Sequence, residues 1–136
     1  MLQQDYLMRL IGMLIAGMQR NLIHQVKTPA RASDDLEEIL SDALDLDMST
    51  LLTLNPDSFS MVMSVSGVDP RVVEYVARTL VLQAWYLRQA GDEDTGDLRL
   101  RQAECLMSEY GMEPFDPSYV PTAEELEQLA LSLQEG

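Results

Sequence analysis

A chain of 136 residues with 46% hydrophobic and 24% charged residues has the make-up of one ordinary globular domain, which excludes a disordered tail, a collagen-like chain or a membrane protein. A formal net charge of −14 excludes direct nucleic-acid binding through a basic surface. The single cysteine, Cys105, cannot form an internal disulfide, as expected of a chain that folds in the reducing cytoplasm.

From Leu2 to Val26 apolar residues recur at Leu7, Leu10, Ile11, Leu14, Met18, Leu22 and Val26, and this helical spacing predicts one long amphipathic helix over residues 2–26. Its apolar run, residues 10–18, is about half the length a bilayer requires and lacks a small-residue cleavage site, so it reads as core and not as an export signal. Thr28-Pro29 ends this helix, because proline has no N–H and pushes its predecessor out of the helical region. Ser33-Asp34-Asp35, with Glu37 three residues after Asp34, predicts the start of an acidic helix that buries Leu36, Ile39, Leu40, Ala43 and Leu44. Two short helical pieces are expected before residue 67. One lies around Leu51, Leu52 and Leu54, and the other opens at Asn55-Pro56 and closes at Gly67.

Asp69-Pro70 is a cap followed by a first-turn proline, and Gly91 is the matching stop of a helix about twenty residues long. After the acidic loop 92–95 a partner helix runs from near Gly96 to Tyr110, burying Leu100, Ala103 and Leu106 or Met107, to complete a hairpin over 70–111. Three prolines between Glu113 and Pro121 make that stretch an extended connection, and Thr122 with Glu125 opens a last helix over 122–134 that buries Leu126, Leu129, Ala130 and Leu133. The fold class is therefore all-α, a small helical bundle forming a single domain over residues 1–136.

The charge is unevenly spread: residues 1–31 carry +3, 32–70 carry −9, 71–104 carry −1 and 105–136 carry −7. Helix one is thus basic within an acidic protein. Its apolar residues also extend beyond one stripe, through Met8, Met13 and Ile15, which points to a homodimer formed through the N-terminal helix.

Two resemblances add to this reading. The opening Gln3-Gln4-Asp5-Tyr6-Leu7-Met8-Arg9-Leu10-Ile11 resembles the start of a family of small bacterial proteins known only as a domain of unknown function. That resemblance implies a helical protein with a tetratricopeptide-like hairpin in its second half, and no activity, cofactor or catalytic residue. The hairpin would place the small residues Ala84, Gly96 and Ala103 at the helix crossing, Leu80, Leu87 and Leu100 as large packing residues, and Gly91-Asp92 at the turn. Gln83 stands where the repeat usually has leucine, no proline closes the unit after Tyr110, and one repeat falls short of the roughly three that stacked arrays need.

Chemistry-bearing residues are sparse. His24 is the only histidine, which rules out a catalytic triad and a multi-histidine metal site, and a place near the end of helix one suits a structural residue. Cys105 beside Leu106 and Met107 reads as a small core residue. The acidic loop from Asp92 to Asp97 does not match a calcium loop, which would need glycine at Asp97 and glutamate at Ala103. No phosphate loop, CxxC pair or HExxH helix occurs, and no cofactor or metal is expected. The nine methionines are read as core filler or as an adaptable binding surface.

The candidate interaction surface lies on the Pro70 to Ala90 helix. Its core stripe is Val73, Val76, Leu80, Ala84 and Leu87, and at about 100° per residue the opposite side carries Arg71, Arg78 and Gln89 flanked by Tyr75, Leu82, Trp85 and Tyr86. Arginine with tryptophan and tyrosine is enriched at interface hot spots. The tetratricopeptide resemblance implies that Arg78, Val81, Trp85, Arg88 and Gln89 face a concave, peptide-binding groove. Either a partner covers this side, or the acidic C-terminal helix does, through Glu124, Glu125 and Glu127. The expected function is a non-catalytic protein–protein interaction or scaffold module working through helical surfaces. The alternatives are an enzyme using carboxylates and an acidic regulator that mimics a nucleic acid.

Overall fold

The computed structural model describes residues 2–24 and 28–135, and among them it contains seven helices and no strand. In chain order these are α1 (Leu2–Ile23), α2 (Pro29–Leu44), α3 (Met48–Leu51), α4 (Pro56–Val65), α5 (Pro70–Gln89), α6 (Glu93–Glu109) and α7 (Ala123–Glu135). The all-helical class is as the sequence predicts. Among the described residues, no helix is long and apolar enough to cross a membrane.

Most boundaries follow the expected caps. Asn55 accepts a hydrogen bond from the Ser58 amide at 2.9 Å, Asp69 from Arg71 at 2.8 Å and Thr122 from Glu125 at 3.2 Å, each satisfying an N–H that the first helical turn leaves open. Gly91 and Gly111 close α5 and α6 with φ of 87° and 72°, where a side chain would be strained.

Three expectations need correction. Helix α1 ends at Ile23 and not at Val26, which lies outside the described residues. Helix α2 begins at Pro29, four residues before Ser33, with the Thr28 hydroxyl accepting from Arg31. Thr28-Pro29 is therefore a helix start and not only a stop: proline at the first position loses no hydrogen bond and brings a helical φ. Consequently Ala32 and Ser33 are buried on the inner side of α2. Helix α6 likewise begins at Glu93, because Asp92 caps it by accepting from the Thr95 amide and the acids that follow suit the positive end of the helix.

Helix α5 is the axis of the bundle. It packs most extensively on α6 and also meets α2 and α1, while α4 lies on α6, α7 on α1 and α3 on α2. One continuous core results, built on Leu14, Met18, Leu36, Phe59, Met63 and Leu80, all fully buried. Of the methionines, Met18, Met48, Met63 and Met107 are core, whereas Met13 and Met61 face solvent. Helices α1 and α2 approach closely at Gly17, where an added Cβ would stand 2.6 Å from Ile39 Cγ2. Nearly every residue of α5 from Val72 to Ala84 is covered, and burial stops at Trp85.

Candidate functional site

The predicted interaction residues do not form one surface. Arg78 is 9% exposed, in a closed cluster. Its guanidinium lies 5.3 Å from the Tyr75 ring centroid and 5.1 Å from that of Phe115, a geometry in which the ring faces attract the cation. Its Nε donates to the Tyr119 hydroxyl at 3.2 Å, and that hydroxyl donates in turn to Glu125 Oε1 at 2.6 Å. Glu74, one turn earlier, lies 3.3 Å from Arg78 Nη1, and Glu125 Oε2 lies 3.8 Å from Nε.

The extended stretch between α6 and α7 makes this cluster possible. Its prolines prevent a helix, and the chain crosses α5 so that Phe115 and Tyr119, with ring centroids 4.6 Å apart, close over Arg78. Burial, reinforced by the Glu125 carboxylate, pushes the Tyr119 phenol well above its usual range. Burial also opposes the Arg78 charge, but Glu74 and Tyr119 outweigh it and the net effect holds its proton more tightly. Of the acids expected to cover the arginines, Glu125 does so, while Glu124 and Glu127 face solvent.

The same stretch forms one wall of a groove beside α5 and α6. Val81, Arg88, Leu100, Ala103 and Met107 face Phe115, Pro117 and Tyr119 across a cleft of about 300 Å3. Of the five residues assigned to a concave groove, Val81 and Arg88 line it, and the chain's own residues 115–119 form its other wall. Arg88 is further tied to Asp97. Gly96 meets the Ala84 carbonyl at the helix crossing, where an added Cβ would stand 3.2 Å from that oxygen.

Trp85 and Gln89 open in another direction. With Asn21, Leu22, His24, Pro29, Ala32 and Tyr86 they line a cleft of about 370 Å3 between the end of α1, the start of α2 and the last turns of α5. Trp85 is 42% exposed and packs edge to face on Tyr86, with centroids 5.3 Å apart and planes at 73°. Asn21 is buried, and its amide nitrogen donates to the Ala32 carbonyl at 3.1 Å and to Asp35 Oδ2 at 2.9 Å. Both of those partners are acceptors, which fixes the orientation of the amide, and Asn21 Oδ1 is left buried with no donor among the described residues. Arg71 is apart from all of these, exposed and paired with its own helix cap Asp69.

A second buried arginine went unpredicted. Arg99, on α6, donates through Nε to Gln83 Oε1 at 2.9 Å and through Nη1 to the Leu52 carbonyl at 3.0 Å and Gln102 Oε1 at 3.2 Å. Gln83 passes the network on to the Ser33 carbonyl, and Gln102 donates to the carbonyls of Leu52 and Leu54. Glu37, 3.9 Å from Nη2, has its carboxyl raised chiefly by burial, against the pull of Arg99. These groups satisfy the carbonyls that follow α3 and tie them through Gln83 to α2, so the cluster is a structural brace. The signal available in the sequence was Gln83, the polar residue at a position where the repeat has leucine.

The Cys105 thiol faces Asp57 Oδ1 at 3.2 Å, and this hydrogen bond with partial burial raises its pKa, which disfavours the reactive thiolate. Among the described residues no three His, Cys, Asp or Glu side chains gather as a metal site requires. Of the acidic stretch 92–97, Asp92 caps α6 and Asp97, on α6, pairs with Arg88. The chain matches no family model, no curated protein and no solved structure.

Proposed function

We propose that the protein is a non-catalytic interaction module of the cytoplasm that holds a peptide segment of a partner protein in the Trp85 cleft. The observation that carries this reading is the exposed Trp85 ring in a concave site whose lining includes Asn21, the residue whose buried carbonyl oxygen has no donor among the described residues. A flat, rigid aromatic wall supplies contact area at small entropic cost, and an unpaired buried acceptor rewards a partner that brings an N–H. The α5–α6 hairpin, tetratricopeptide-like in its small crossing residues, contributes the last turns of α5 to this cleft, while residues 115–119 wall its other groove.

The test is site-specific photo-crosslinking in the cell of origin, with the crosslinker at Gln89 and, as control, at Arg101 on α6. A protein captured from Gln89 and lost in Trp85→Ala, with helical dichroism unchanged, supports the reading. Capture that is indifferent to Trp85→Ala contradicts it.

A further inference from the structure

The outward side of α1 carries Tyr6, Arg9, Met13, Ala16, Arg20 and Ile23, spaced alternately three and four residues apart and therefore aligned along the helix. Tyr6, Met13 and Ile23 are exposed, at 54%, 39% and 70%. Arg9 and Arg20 are exposed as well, and no acid among the described residues pairs with either. This line runs between two neighbours: α7, whose Leu133 approaches Gly12, and α2, whose Ile39 presses on Gly17. The outer side of α2 bears the exposed acids Asp34, Glu38 and Asp42, and Asp45 follows at its C-cap. Asp42 shares with Gly12, Met13, Ala16, Arg20 and Ile39 a groove of about 330 Å3.

An apolar line holding two cations with no acidic partner among the described residues, beside an acidic ridge, complements a copy of itself. We propose that this side of α1 is the interface of a two-fold homodimer in which the two α1 helices pair antiparallel, centred on Met13. Charge fixes the arrangement. Parallel pairing would stack Arg9 on Arg9 and Arg20 on Arg20, and an antiparallel pair centred between Met13 and Ala16 would set Arg9 opposite Arg20, both repulsive. Centring on Met13 sets Arg20 opposite the second copy's Tyr6, where the ring attracts the cation. Arg9 then lies beside the second copy's Ala16 and Gly17, the level of the groove that contains Asp42. Each contact occurs twice, as two-fold symmetry demands. The interface stands apart from the Trp85 cleft, and the two are tested by different variants.

Light scattering at micromolar concentration should give twice the 15.3 kDa chain mass. Arg9→Glu should weaken the dimer by about tenfold or more, and adding Asp42→Arg to it should restore association. Both positions are exposed, and dichroism verifies that the variants remain folded. Met13→Cys in a Cys105→Ser background should cross-link on oxidation, while Arg101→Cys in that background should not. A monomer at every concentration, or a dimer that is indifferent to Arg9→Glu and does not cross-link through position 13, overturns the proposal.

Discussion

The two ends of α5 differ in what the rest of the chain does to them. The first four turns are sealed: Arg78 sits between two rings and shares a phenol with Glu125, so a residue type common at interfaces is used internally. The last turns are open, and Trp85 stands at the edge of a cleft with no cover among the described residues. An arginine and a tryptophan two turns apart can look like one surface in a helical projection, yet an extended segment from elsewhere in the chain decides which of them a partner could reach.

This contrast is sharpest in stability. Arg78→Ala strands the Glu125 carboxylate and the Tyr119 hydroxyl in a partly buried setting and should cost about 3 kcal/mol in denaturant unfolding. Trp85→Ala should cost less than about 1 kcal/mol, since the ring is exposed along one side. Equal losses would mean that the two ends are not distinct. Gln83→Leu, which restores the apolar residue of the resembled repeat, should still destabilise the fold by about 2 kcal/mol, because it leaves the buried Arg99 Nε without its acceptor. A neutral or stabilising effect would show that the Arg99 network is dispensable.

The smallest effect is pH dependent. Tyr119 is held neutral in the folded state, whereas in the unfolded chain it ionises from its ordinary value of 10.0. Between these points the folded state binds more protons, so the contribution of Tyr119 is complete below pH 10.0 and is lost as the pH rises above it. Tyr119→Phe should lower the melting temperature at neutral pH by an amount corresponding to about 1 kcal/mol and lose less between neutral and strongly alkaline pH than the unmodified protein. An identical slope in both proteins would show that the phenol is not held in the folded state.

Helix identities and most caps were legible because they depend on near neighbours: Asn55-Pro56, Asp69-Pro70, Gly91 and Thr122 each act within four residues. Thr28-Pro29 was read only as a stop, since a proline that ends one helix also opens the next when a cap precedes it. The central position of α5 was visible in its two apolar sides, but what covers each side was not. Phe115 and Tyr119 lie about forty residues from Arg78 in a segment without periodicity, and no local pattern announces their contact. The Asn21 carbonyl was invisible for the same reason, because its state depends on two acceptors on α2.

The direct test of an open Trp85 cleft uses the protein's only tryptophan as its own reporter. Titration with the partner peptide identified by crosslinking at Gln89 should shift Trp85 emission to the blue with saturation, as the ring leaves water. The same peptide should bind Tyr119→Phe with unchanged affinity and Asn21→Leu at least about tenfold more weakly, the loss expected of one buried hydrogen bond. Saturable binding of that peptide with no change in Trp85 emission, or equal affinity for Asn21→Leu and the unmodified protein, would contradict the account.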